Sequence, residues 1–216
     1  MTEKEIMRHV DHTQLRAFAT WEDIKKLCDE AVEYQTASVC IPPCYIQRVK
    51  EAYGEQINIC TVVGFPLGYS VTEAKIAETK KAREDGASEI DMVINSSDVK
   101  NGDYAAVEKE IAALKEVVGD KILKVIIETC YLTEEEKIAM CKAVTVAGGE
   151  YIKKFNGFGT AGGAFLDIRL FKENIGGHVK MKTAGGGKTG EDFEAILQEG
   201  WERIGTNSAV KLVQGP

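Results

Sequence analysis

The sequence has no apolar run approaching the roughly 18 residues that a membrane-spanning helix needs, and no CxxC pair among its six cysteines, at positions 28, 40, 44, 60, 130 and 141. Its N-terminal stretch, MTEKEIMRHVDHT, lacks the apolar centre of a secretory signal. Cys40 and Cys44 have no matching His/Cys pair, which excludes a zinc knuckle, and metal is not expected. Reduced thiols and a cytosolic location are therefore expected. There is no basic excess either. The 27 Lys and Arg against 34 Asp and Glu give a net charge of −7, which argues against nucleic acid as a partner. GGGKT (185–189) is not a phosphate-binding P-loop, because the first glycine of that motif would fall at Lys182. No glycine-rich dinucleotide turn occurs early in the chain, and no linker or low-complexity break divides it.

What is present is hydrophobic patterning from end to end, in a chain that is 44% apolar over 216 residues. Short β-branched runs predict strands at Ile6–Val10, Ala37–Ile41, Asn58–Val63, Glu89–Ile94, Ile122–Ile127, Tyr151–Lys153, His178–Lys182 and Arg203–Gly205. Several are apolar throughout, as parallel strands covered on both faces require. Between them, helical periodicity predicts Trp21–Tyr34 after a Thr20 cap, Val71–Asp85 after Ser70, Tyr104–Val118, Glu134–Ala147 after Thr133, and Asp192–Glu199. Eight strands with crossovers, and glycine-rich loops concentrated late, favour an α/β single-domain (β/α)₈ TIM barrel over residues 1–216, in preference to an open doubly wound sheet.

In such barrels chemistry sits at the C-terminal ends of the strands. Lys153 and Lys182 end neighbouring predicted strands. An amine is a nucleophile only when neutral, and a second ammonium or burial favours that form. Lys153 is thus a candidate nucleophile and Lys182 its tuner, against the alternative of two lysines reaching to solvent. Asp91 lies in an apolar strand, where a carboxylate must be paired. It is a candidate proton relay, or equally a structural partner of Lys124 or Lys182. Gly157, the run Gly185, Gly186 and Gly187, and Gly205 with Asn207 and Ser208 are candidate phosphate-binding positions, since glycine lets backbone N–H groups approach an anion. Asp11, Thr13, Cys40 and Phe155 are further pocket candidates. Cys40 has no evident histidine partner and reads better as a buried thiol.

These motifs converge. DHTQL (11–15), ASVCIPP (37–43), CTVVGFPLG (60–68), GASEIDMVIN (86–95), LKVIIETCYLT (123–133), EYIKKFNGFGTAGGA (150–164), VKMKTAGGGKT (179–189) and WERIGTNSAVKLVQG (201–215) together resemble the deoxyribose-phosphate aldolase family along nearly the whole chain. The resemblance implies a reversible aldol reaction of acetaldehyde with D-glyceraldehyde 3-phosphate through an imine on Lys153. Lys182 would be the second lysine and Asp91 the relay, with no cofactor, in a homodimer acting on small aldehydes and sugar phosphates. Lys154, Phe155 and Asn156 stand where the family carries Thr-Ser-Thr. Gly187 and Lys188 replace a GGIRT-like ending, and Asn207 replaces a serine. The expectation drawn from these departures is an acceptor site changed by drift, selection or engineering, suited to a different or non-phosphorylated aldehyde. Phe155 would narrow the pocket or pack against a helix. A phosphate-binding isomerase and an inactive binding barrel are the competing readings; only an imine would leave a borohydride-fixed adduct at Lys153.

Overall fold

A computed structural model of the chain describes residues 1–157, 167–184 and 189–213. Eight parallel strands close into a barrel in chain order: β1 (Val10–Thr13), β2 (Ser38–Ile41), β3 (Ile59–Val63), β4 (Glu89–Val93), β5 (Ile122–Ile126), β6 (Tyr151–Lys153), β7 (Lys180–Ala184) and β8 (Arg203–Thr206). Around them run α1 (Glu3–Met7), α2 (Trp21–Tyr34), α3 (Ile46–Tyr53), α4 (Thr72–Glu84), α5 (Ser96–Lys100), α6 (Tyr104–Val118), α7 (Glu134–Val146), α8 (Ile168–Asn174), α9 (Gly190–Gln198) and α10 (Ala209–Val213). This is the TIM-barrel fold expected from the sequence.

Local chemistry accounts for the helix starts. Thr20, Thr133 and Thr189 each accept a hydrogen bond from the backbone N–H three residues on, while Asp23, Glu136 and Asp192 reach back to the cap's own N–H. Such capping boxes satisfy donors that the first helical turn leaves free. Ser70 is not a cap: α4 starts after Val71, with no side-chain cap bond.

Two strands lie elsewhere than expected. Ile6 and Met7 belong to α1, where Thr2 and Glu5 form a capping box, and the first strand begins only at Val10. Asp11 is therefore the second residue of β1, inside the strand and not just past it. The seventh strand starts at Lys180 because His178 sits in a tight turn, closed by Val179 N–H donating to the Gly176 carbonyl at 2.9 Å.

Strand alternation divides the barrel into two environments. Val39, Ile41, Ile59, Ile90, Met92, Leu123, Val125, Ile152, Met181 and Ile204 are buried in one core with Ile24, Ile111, Leu114, Phe193 and Trp201 of the surrounding layer. Burying each such side chain is worth about 1.5–3 kcal/mol, so the apolar stabilisation lies between the sheet and the helices. The inward set is different. Its apolar part comprises Val93, Ile126 and Tyr151 and a small cluster of Cys40, Cys60 and Val62, joined by Leu15 and Phe65. Barrel interiors are ordinarily filled by Val, Ile and Leu; this one is filled largely by charge.

Candidate active site

The inward charges come from six strands. Asp11 (β1), Asp91 (β4), Lys124 (β5) and Lys182 (β7) have no exposed surface, and Lys153 (β6) and Glu89 (β4) are each 3% exposed. Arg203 (β8) is half-buried at the floor. Register explains their meeting, because Asp91 is the lateral partner of Lys124, Lys153 of Lys182, and Lys182 of Arg203.

Asp91 is the hub. Its Oδ2 accepts from Lys153 Nζ and from Lys182 Nζ, both at 2.7 Å. Its Oδ1 accepts from the Cys60 thiol at 3.1 Å and lies 3.1 Å from Lys124 Nζ. Lys182 also contacts Asp11 Oδ2 at 2.5 Å. Below this level Lys124 pairs with Glu89 at 2.5 Å and Asp11 at 3.2 Å, and Arg203 bridges Asp11 and Glu89 at 2.5 and 3.1 Å.

Burial would push the Asp91 carboxyl up, but Lys124, Lys153 and Lys182 outweigh it and hold the group well below the usual carboxylate range. Asp11 is drawn down by Lys124, Lys182 and Arg203 against the same burial. Burial also opposes charge on Lys182 and Lys124, yet Asp11 and Asp91 keep both ammonium groups above the ordinary lysine value. Lys182 is thus a fixed cation. It does not act on Lys153 as a bare neighbouring charge, since a carboxylate oxygen bonds to both.

Lys153 reaches upward into a cavity of about 440 Å³ at the barrel mouth, lined also by Thr13, Arg16, Asn156, Gly157, Thr206 and Asn207, among others. Of the candidate phosphate positions, Gly157, Gly205 and Asn207 line this cavity. Ser208 instead hydrogen-bonds the Thr206 hydroxyl at 3.0 Å and is not among the lining residues. Gly185, Gly186, Gly187 and Lys188 lie outside the described residues. Thr13 ends β1, its hydroxyl donating to the Asp11 carbonyl at 2.7 Å. Asp11 and Cys40 lie in the floor below the cavity, with the Cys40 and Cys60 sulfurs and an Asp91 oxygen all within 4.8 Å of one another.

The departures noted at residues 154–156 separate in space. Lys154 follows the inward Lys153 and so points out of the barrel, where its Nζ lies 3.2 Å from Asp167. Lys137 of α7 binds the same carboxylate at 2.8 Å. Phe155 is buried, with its ring centre 4.8 Å from Lys154 Nζ, and is absent from the cavity lining. Of the two alternatives the sequence offered for Phe155, narrowing the mouth is not what is seen, because β6 ends at Lys153 and the alternation does not continue. Asn156 does line it, held by its amide donating to the Pro66 carbonyl at 2.8 Å and its backbone N–H donating to Glu128 at 2.9 Å. Sequence reasoning did not assign Glu89, Cys60, Arg203, Arg16 or Thr206 to the site. Charged residues two apart inside apolar strands, as in Glu89 and Asp91, were the signal available.

The match to a family model spans residues 6–210, and that model describes DeoC/LacD family aldolases. The chain belongs to the DeoC/LacD aldolase family. It is 66% identical over 215 residues to a deoxyribose-phosphate aldolase of Clostridium botulinum strain Alaska E43, covering all of this chain and 97% of that one. A deoxyribose-phosphate aldolase of Clostridioides difficile strain 630 is 54% identical, with 98% and 96% covered. Among solved structures, the tetrameric deoxyribose phosphate aldolase of Aeropyrum pernix superposes with a TM-score of 0.89 at 27% identity, covering 99% of this chain and 91% of that one. For an aldolase of this family, a buried amine on a fixed carboxylate beneath an open cavity is the arrangement carbonyl chemistry needs.

Proposed function

We propose that the chain is a class I aldolase that joins acetaldehyde to D-glyceraldehyde 3-phosphate, giving 2-deoxy-D-ribose 5-phosphate, and cleaves the same product. The observation that carries this reading is the Lys153 amine, 3% exposed, bonded to Asp91 and facing the mouth cavity.

In the synthetic direction the Lys153 nitrogen attacks the acetaldehyde carbonyl, and loss of water leaves an iminium. The iminium withdraws electrons from the adjacent carbon, whose proton passes to a solvent water to give an enamine; no metal or cofactor is invoked in this scheme. The enamine carbon attacks the second aldehyde, the new alkoxide takes a proton, and water releases the product. Asp91 stays ionised throughout and stabilises the positive iminium at hydrogen-bonding distance. Bonded to Lys153 and to Lys182 at 2.7 Å each, it is also placed to orient the two amines and to relay protons between them. Gly157, Gly205 and Asn207, with Gly185, Gly186 and Gly187, are assigned to the phosphate end. The domain is taken as one unit over 1–216, acting in the cytosol as a homodimer. Among the described residues no helix is long and apolar enough to cross a membrane.

The test is reductive trapping. Acetaldehyde with borohydride is expected to add a two-carbon group at position 153, found by peptide mass mapping, and Lys153→Ala is expected to lose it. An adduct at another lysine, or none in the parent, would overturn the reading. An isomerase or an inactive barrel has no reason to give one.

A further inference from the structure

The floor charges form a count that depends on Lys153. Asp11, Glu89 and Asp91 are three buried anions; Lys124, Lys182 and Arg203 are three cations bonded to them. With an uncharged amine at 153 the cluster is neutral. With an ammonium there it carries one excess positive charge, and an unbalanced buried charge is expensive.

Every other strand faces that amine with a group that enters the count. These are Asp11 on β1, Cys40 on β2, Cys60 on β3, Glu89 and Asp91 on β4, Lys124 on β5, Lys182 on β7 and Arg203 on β8. Glu128, just beyond β5, is buried on the Asn156 N–H, and Lys154 is turned outward onto Asp167. The thiols are counted as uncharged. Burial pushes the Cys60 thiol up, while the neighbouring Cys60 sulfur draws Cys40 below its ordinary value.

We propose that Lys124 is a positioning residue that keeps Lys153 uncharged by neutralising the floor carboxylates, a role that rests on the aldolase reading. Lys124 contacts all three of them, whereas Lys182 and Arg203 contact two each. It also takes the Asp91 oxygen that faces away from the nucleophile, 3.1 Å from Oδ1, and so withdraws negative charge from the Oδ2 side. Without Lys124 the floor holds two cations against three anions. A proton on Lys153 then restores the balance and masks the amine. Lys124 does not touch substrate, being wholly buried and absent from the cavity lining.

The experiment follows the rate of acetaldehyde trapping at position 153 against pH with cyanoborohydride, in the parent, K124M, K124R, E89Q and C40S. K124M is expected to move the half-maximal pH upward by at least about one unit, a tenfold loss of trapping on the acidic limb, as for a charge a few ångströms away. K124R keeps the charge and is expected to stay within about half a unit of the parent. E89Q removes an anion and is expected to move the midpoint downward, an opposite sign that a general loosening of the floor would not give. C40S is expected to match the parent. A K124M profile that coincides with the parent, or an E89Q shift in the same direction as K124M, overturns the proposal. A downward shift in C40S does so too, since it would make Cys40 a fourth anion. Should K124M not fold, the E89Q and K124R arms still decide. A parent without an adduct at 153 instead defeats the aldolase reading.

Discussion

Replacing Asp91 by Asn is the most exacting test of the buried cluster. The substitution keeps shape and removes the one charge that three lysines share, at 2.7, 2.7 and 3.1 Å. Breaking a buried ion pair by removing one partner costs about 3–5 kcal/mol. Partial relief is available, because the asparagine side-chain oxygen can still accept from the lysines, so the lower end of that range is expected at neutral pH. The pH dependence adds an independent sign. The native Asp91 carboxyl lies well below its usual value, while the unfolded chain titrates near about 3.9. A depressed group contributes stability that is complete above the unfolded value and is lost as pH falls toward the folded one. Below about pH 4 the unfolded parent therefore binds one proton more at this site than the native form, and stability falls by about 1.4 kcal/mol per pH unit on this account. The variant lacks that contribution. Urea unfolding of both proteins at about pH 7, 5, 4 and 3 is expected to show a gap that is constant down to about pH 5 and then narrows by about 1.4 kcal/mol per unit. Asp11 titrates in both and cancels. A gap below about 1 kcal/mol at neutral pH, or one that does not narrow in acid, would refute the claim that Asp91 is ionised and paired.

Two further outcomes follow from geometry. A bulky maleimide is expected to label Cys44, which is exposed, and then half-buried Cys130, sparing buried Cys28, Cys40, Cys60 and Cys141 until the chain is denatured. Burial pushes the Cys28 and Cys141 thiols up to about 12, which reinforces the order; rapid native labelling at Cys60 would contradict the closed floor. Lys154→Met is expected to lower stability by about 1.5–3 kcal/mol through the lost charged bond to Asp167, yet to leave the ratio of kcat/KM for 2-deoxyribose 5-phosphate over 2-deoxyribose within about threefold, a difference of under about 0.7 kcal/mol. A tenfold change in that ratio would return Lys154 to the acceptor site.

The barrel was legible because its outward faces are almost purely apolar, and runs such as Ile122–Ile127 leave few other readings. Lys153, Lys182 and Asp91 stood out for the complementary reason, as charges inside those runs. Partnership was less visible. Lys124 was noted only as a possible partner of Asp91, and Arg203 only as a strand start, because a parallel register that carries Arg203 to Glu89 across the floor leaves no trace in sequence spacing. The first strand was misplaced since Ile6 and Met7 satisfy a strand pattern as well as a helix turn, and Thr2 with Glu5 decides between them. The reading of residues 154–156 as a single patch met a similar limit. Three consecutive departures look like one altered patch, but β6 ends at Lys153, the side chains beyond it part company, and only Asn156 reaches the cavity.

Lys153 and Lys154 are chemically identical neighbours assigned to opposite sides of a wall one peptide thick. What separates nucleophile from buttress is the lateral ladder alone, Lys153 C=O accepting from Ile127 N–H at 3.0 Å and Lys154 N–H donating to Lys182 C=O at 3.1 Å. Deleting one residue in the approach to β6 would bring Lys154 into the inward place of Lys153, presenting the same functional group from the next residue of the chain. A slipped chain of that kind would still offer an amine to an aldehyde, with the outward bond to Asp167 lost. Mass mapping that fails to distinguish two adjacent lysines would then score a misfolded enzyme as an intact one.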